Sequence, residues 1–173
     1  MKPCIFLDRD GILNQVIFRN GKPASPRSVG ELLVMPHALE LVNTIKLRGY
    51  LAIVVTNQPD VGRGFLSETE LNKIHKVIKE TLPVDCIYTA FSGEKDDPTR
   101  KPNPTMLLAA GKVWDIDYAK SWIIGDSIKD IVAGRKAGIS TILLKTEYNI
   151  EAHDMADKQF CSIQEITKHI KQL

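Results

Sequence analysis

Cysteine is scarce in this sequence: Cys4, Cys86 and Cys161 are the only three, and no two have C-x-x-C spacing. That scarcity excludes a disulfide framework and a thiolate zinc site, and leaves three buried thiols of a reduced compartment as the expectation. No apolar run approaches the roughly 20 residues of a membrane helix, and no charged and apolar leader precedes the first strand pattern. A cytoplasmic protein with no membrane partner is expected. Charge of one sign is lacking too. Lys and Arg total 23 against 21 Asp and Glu, a net charge of +2, so no basic footprint for nucleic acid is present. Repeats and low-complexity tracts are absent. No G-x-x-x-x-G-K-[ST] follows an apolar run, and Gly62-Arg63-Gly64 is too short to replace it, which argues against a nucleotide-binding kinase.

What is present is an alternation of apolar runs and amphipathic segments over 173 residues, a length suited to a single domain, 1–173. A first strand is predicted at about residues 3 to 7. A long polar stretch, Asn14 to Met35, follows as a loop with room for a small hairpin. Pro36 at a first helical position, then Ala38, Leu41, Val42 and Ile45 before Gly49, predict a helix. Leu51 to Val55 reads as a second strand, and Asn57 to Phe65 as a glycine-bearing loop. Ser67-Glu68-Thr69-Glu70 matches a capping box opening a helix to about Leu82. A third strand spans Val84 to Phe91, and after the polar segment Ser92 to Asn103 a helix begins at Pro104. Trp122 to Ile124 forms a fourth strand, Ile128 to Ala137 a helix stopped by Gly138, and Thr141 to Leu144 a fifth strand. Ser162-Ile163-Gln164-Glu165 caps a last helix. Continuous apolar strands alternating with helices predict an α/β fold, a three-layer sandwich whose parallel sheet is covered on both faces.

The polar residues fall at the strand ends, where ligands bind in open α/β sheets. The first strand ends at Asp8, the second at Thr56 and the fourth at Asp126, with Lys101 in the loop before the third helix. Asp8 and Asp126, with a backbone carbonyl near Asp10, offer the hard oxygen ligands that magnesium takes. A carboxylate beside such a metal can attack phosphorus once the metal and a lysine offset the repulsion between anions. Asp10 could give a proton to the leaving oxygen and later take one from water, while the Thr56 hydroxyl and loop N–H groups hold phosphoryl oxygens. Each segment also has an ordinary reading. Asp-x-Asp-Gly makes a turn, Gly125-Asp126-Ser127 a strand end and helix cap, Thr56 a local hydrogen bond and Lys101 a solvated charge. Those ordinary readings would have to hold separately at four places, in this order.

Together, Asp8-Arg9-Asp10-Gly11, Val55-Thr56-Asn57-Gln58, Arg100-Lys101-Pro102-Asn103-Pro104 and Gly125-Asp126-Ser127-Ile128-Lys129-Asp130 resemble the haloacid dehalogenase superfamily of phosphatases. Within it they are similar to the capless histidinol-phosphate and heptose-bisphosphate phosphatases, on the strength of Leu7-Asp8-Arg9-Asp10-Gly11 with Asn14, of Thr56-Asn57-Gln58 with Arg63-Gly64, and of Arg100 to Leu107. The resemblance covers about residues 3 to 144. It implies Asp8 as nucleophile forming an aspartyl-phosphate and Asp10 as general acid and base. It implies phosphoryl binding by Thr56, charge stabilisation by Lys101, substrate or phosphate contacts from Asn57 and Arg100, and a magnesium site of Asp8, Asp10 and Asp126. Asp130 matches a ligand or a partner of a ligand, and Arg63 ranks lower, as a residue that fixes its loop. The implied substrate is a small phosphorylated metabolite, a heptose bisphosphate first and histidinol phosphate second.

Two departures stand out. Position 12 is Ile where the relatives usually carry Thr, which predicts tuning of the site. Residues 92–99 contain neither Cys nor His where those relatives carry a zinc-binding loop, so structural zinc is not expected. The spacers leave no room for an inserted cap, which predicts an open site shaped by residues 15 to 30, 57 to 66 and 92 to 100, and a monomer. A receiver-like signalling module would also carry a phospho-aspartate, but its acceptor follows a middle strand, whereas here the acid/base candidate Asp10 sits beside a first-strand nucleophile.

Overall fold

A computed structural model describes Met1 to Leu173. In chain order the elements are β1 (Cys4–Leu7), β2 (Ile17–Arg19), β3 (Lys22–Ala24), α1 (Ala38–Leu47), β4 (Leu51–Asn57), α2 (Pro59–Gly62), α3 (Glu68–Thr81), β5 (Cys86–Ala90), α4 (Thr105–Trp114), β6 (Trp122–Gly125), α5 (Ile128–Ala137), β7 (Ser140–Leu144), β8 (Lys158–Phe160) and α6 (Ile163–Ile170). Six strands form one parallel sheet in the order β5-β4-β1-β6-β7-β8, and β2 and β3 form a separate antiparallel hairpin. The α/β sandwich expected from the alternating pattern is the architecture observed.

Alternation along the strands splits the core. Ile5, Leu7, Ala52 and Val54 face α1, α3 and α6, while Cys4, Phe6, Ile53 and Val55 face α4 and α5. Every one of these eight side chains is fully buried, which anchors β1 and β4 against lateral movement. Because Leu7 is in register with both Val54 and Ile124, the carboxyl ends of β4, β1 and β6 lie side by side. The chain winds outward to β5, then crosses back to β6 on the other side of β1. The crevice at that reversal is where ligands bind in this architecture.

Several boundaries differ from the sequence expectation. Helix α1 begins at Ala38, because His37 adopts a left-handed conformation with φ of 66° and leaves Pro36 ahead of the helix. Pro104 is likewise the cap of α4, not its first residue. The loop after β4 contains the short helix α2, and the hairpin β2–β3 occupies the stretch after Asn14. Strand β8 was unreadable: three half-exposed residues on a sheet edge carry no apolar run. The caps are as expected, with Ser67 and Ser162 accepting from the N–H groups of Glu70 and Glu165. The cysteine expectation is corrected. Only Cys4 is buried; Cys86 is partly exposed on edge strand β5, and Cys161 is exposed in the turn between β8 and α6. No helix is long and apolar enough to cross a membrane.

Candidate active site

The central cluster is built from three strand ends and one loop. Carboxylate oxygens of Asp8, Asp126 and Asp130 come within 4.8 Å of one another, after β1, after β6 and in the first turn of α5. Lys101 is the only ammonium bonded among them. All its donors are used: Nζ lies 2.9 Å from Asp8 Oδ1, 2.6 Å from Asp130 Oδ1 and 2.7 Å from the Val55 carbonyl. With all three acids ionised, one cation faces three anions. Burial pushes Asp8 up to about 7, with Lys101 opposing and Asp130 and Asp10 adding to the rise. Burial likewise raises Asp126 well above the carboxylate range, Asp8 and Asp130 contributing. Asp130 Oδ2 is buried with no hydrogen-bond partner. An excess of hard oxygen donors with one orphaned oxygen fits a divalent cation such as magnesium.

Two glycines permit this crowding. A Cβ on Gly11, whose φ is +85°, would stand 1.9 Å from Asp126 Oδ2, and one on Gly125 would stand 2.3 Å from the Asp130 carboxyl carbon. Neither position tolerates a side chain without displacing a carboxylate of the cluster.

Asp10 points elsewhere. Its Oδ1 accepts from Arg9 and Asn14, and its Oδ2 from Ser25 and Gln58 at 2.8 Å each. Burial works to raise its pKa, but the Arg9 charge and these donors outweigh it and hold the group below the usual range. Both its carboxylate oxygens are thus engaged by donors outside the Asp8, Asp126 and Asp130 cluster. Arg9, fully buried, also meets His75 Nε2 at 3.1 Å. Burial, then the Arg9 charge, lower His75 to about 4, so at neutral pH Nε2 accepts from the guanidinium.

The remaining candidates divide. Thr56 is fully buried beneath the site, accepting from Gln58 Nε2 at 2.9 Å, and does not border the cavity. Asn57 pairs with the backbone of Lys101 in both directions, at 2.9 and 3.0 Å, and so holds the lysine's loop. Arg63 and Arg100 line the rim of a cavity of about 320 Å³ over the cluster. Arg63 donates to the Gly93 carbonyl at 3.4 Å and Arg100 to the Glu94 carbonyl at 2.5 Å, while Arg100 Nε is buried without a partner. Burial, then the Arg63 charge, lower the Arg100 pKa, so two cations crowd one side of the mouth.

Sequence reasoning missed Tyr148, Asn149 and Ser25, and named Gln58 within its motif without giving it a role. Tyr148 follows β7, and examining that strand end as the other three were examined would have found it. The role of Gln58 was findable by strand period, two residues beyond Thr56. Ser25 reaches Asp10 from the far side of the hairpin, which no local pattern announces.

A parallel sheet with an acidic triad, one fully engaged lysine and an Asp-x-Asp turn at its switch point is a frame suited to phosphoryl chemistry. A family model described as HAD-hydrolase-like matches residues 98–172. The D-glycero-alpha-D-manno-heptose-1,7-bisphosphate 7-phosphatase of Burkholderia mallei is 34% identical over 156 residues, 81% of this chain and 78% of that protein. The D-glycero-beta-D-manno-heptose-1,7-bisphosphate 7-phosphatase of Pasteurella multocida is 34% identical over 188 aligned positions, 100% of this chain and 99% of that protein. The crystal structure of D,D-heptose 1,7-bisphosphate phosphatase from B. bronchiseptica, complexed with magnesium and phosphate, matches with a TM-score of 0.83 over 98% of both chains. At 24% identity that likeness speaks for the fold. The chain belongs to the haloacid dehalogenase superfamily of phosphatases, and phosphatase activity, not a receiver's switching, is its chemistry.

Proposed function

We propose that this phosphatase is a magnesium-dependent phosphomonoesterase acting on a small sugar phosphate, heptose 1,7-bisphosphate first, through an aspartyl-phosphate on Asp8. The observation that carries this reading is the cluster of Asp8, Asp126 and Asp130 around one fully engaged lysine. Asp8, Asp126, Asp130 and the Asp10 carbonyl would hold magnesium, which supplies charge neutralisation and orientation for an incoming phosphoryl group. The Asp8 carboxylate forms the new O–P bond as the ester P–O bond breaks. Asp10 protonates the leaving alkoxide, then takes a proton from the water that attacks the aspartyl-phosphate, releasing inorganic phosphate and restoring Asp8. Lys101 stays on Asp8 and offsets charge throughout. Thr56 accepts from Gln58 Nε2, which also donates to Asp10, and so supports Asp10 from below the site.

Substrate choice rests on the rim. The Burkholderia and Pasteurella relatives are named for the same bisphosphate in opposite anomeric forms, so the C1 configuration stays open. Arg63 and Arg100, with an unpartnered Nε, suit a second anionic group beyond the one being cleaved. A charge-assisted contact contributes about 1.5–3 kcal/mol, so kcat/KM for heptose 1,7-bisphosphate should exceed that for a heptose monophosphate by roughly tenfold to a hundredfold. A panel that includes histidinol phosphate tests this. Preference for histidinol phosphate or for monophosphates would overturn the sugar-bisphosphate assignment.

A stability measurement checks the metal site independently. Asp8 keeps a proton in the folded chain up to about pH 7, whereas an unfolded aspartate releases it near pH 3.9. Stability of the metal-free protein therefore falls as pH rises from about 4 through 7, and a cation that replaces the proton restores it. Magnesium should raise the melting temperature more at about pH 8 than at about pH 5. Equal shifts at the two pH values would contradict the assignment of the cluster as its site.

A further inference from the structure

Asp126 is held from two consecutive residues of one loop. Tyr148 donates its hydroxyl to Asp126 Oδ2 at 2.6 Å, and Asn149 Nδ2 donates to the Asp126 backbone carbonyl at 2.7 Å. The loop is itself fixed. Asn149, 2% exposed, also donates to the Leu144 carbonyl and accepts from the Thr146 N–H, so it ties the end of β7 to the end of β6. The Tyr148 ring meets Phe18 of the hairpin edge-on, with centroids 5.9 Å apart. Tyr148 also lines the cavity.

Tyr148 is the only hydrogen-bond donor to the Asp126 carboxylate. Lys101, the cluster's cation, bonds Asp8 and Asp130 but not Asp126. A second side of Oδ2 is closed by Gly11, where no side chain fits. With Oδ2 held by the phenol and crowded by Gly11, Oδ1 is the carboxylate oxygen of Asp126 that accepts no hydrogen bond from the protein and is left for a cation.

We infer that Tyr148 is a positioning residue for the metal site, fixing Asp126 so that it binds a divalent cation through one oxygen, with Phe18 bracing the tyrosine from the hairpin. Partners that orient metal ligands typically change metal affinity by 10–100-fold when removed. This rests on the proposed magnesium site, and the test separates the two. Isothermal titration of magnesium into the substrate-free protein is compared among the wild type, Tyr148→Phe, Tyr148→Leu and Phe18→Ala, with melting temperatures of the metal-free proteins alongside.

The expected result is an affinity about tenfold weaker in Tyr148→Phe with a metal-free melting temperature close to wild type, a larger loss in Tyr148→Leu, and a loss of a few-fold in Phe18→Ala. An unchanged affinity in Tyr148→Phe overturns the inference, as does a lowered melting temperature with unchanged affinity, which would make the hydroxyl merely structural. No magnesium binding by the wild type would instead defeat the metal site itself. Where Tyr148→Leu fails to fold, Tyr148→Phe still decides, since it removes one oxygen and keeps the ring.

Discussion

Asp8→Asn should abolish turnover while the protein keeps its fold. An amide of the same shape cannot form the acyl-phosphate, and loss of a nucleophile costs on the order of 10⁵-fold or more in kcat. The amide also relieves the cluster. Asp8 is one of three buried acids sharing one lysine, and its raised pKa records how unfavourable its charge is without a cation. The substitution should therefore leave the metal-free melting temperature unchanged or higher at about pH 8, while weakening magnesium binding. Steady-state kinetics and thermal unfolding on the same preparation check both parts. Retained activity would remove Asp8 from the chemistry.

Lys101→Met should be the more damaging change to the molecule as a whole. Methionine fills a similar volume but leaves Asp8 and Asp130 without the bonds at 2.9 and 2.6 Å, and the Val55 carbonyl without its donor. Breaking one partner out of a buried ion pair costs about 3–5 kcal/mol. For a chain of this length, that lowers the melting temperature by roughly 10 °C. Magnesium should recover part of the deficit, because it supplies positive charge to the same oxygens. Turnover should fall by about 10²–10³-fold or more, the scale seen when one charge-stabilising donor is removed. A variant as stable and active as the wild type would show that the lysine is not the counter-charge of the cluster.

The legibility of this site in the sequence follows from what fixes each residue. Asp8, Asp126 and Lys101 were readable because strand ends and their order along the chain are local facts, and the doubly wound topology brings such ends together. Asp130 stood lower than its geometry merits: it opens α5 one turn after Asp126, and only the Gly125 gap lets its carboxyl approach the lysine. Asn57 reads as a substrate contact by resemblance, yet its side chain is spent on the Lys101 backbone. Tyr148 and Ser25 depend on a loop and a hairpin folding over the sheet, and strand β8 depends on an edge that needs little apolar surface. Local pattern names the elements; contacts between distant segments need the fold.

Asp10 shows how much the surroundings decide. Four residues donate to it, so it stands ionised, the form that takes a proton from attacking water. Protonating the leaving alkoxide demands the other form. On the proposed mechanism substrate binding would loosen part of this network, and the Ser25 and Gln58 contacts, both to Oδ2, are the ones a ligand at the cavity floor would disturb first.

The most direct test of the account is to trap the enzyme during turnover, by acid quench and hydroxylamine or borohydride treatment, and map the modified peptide by mass spectrometry. The account predicts modification at Asp8 alone, dependent on magnesium and substrate, and absent from Asp8→Asn. Modification at another residue, or turnover with no trapped acyl-phosphate under any quench, would contradict it.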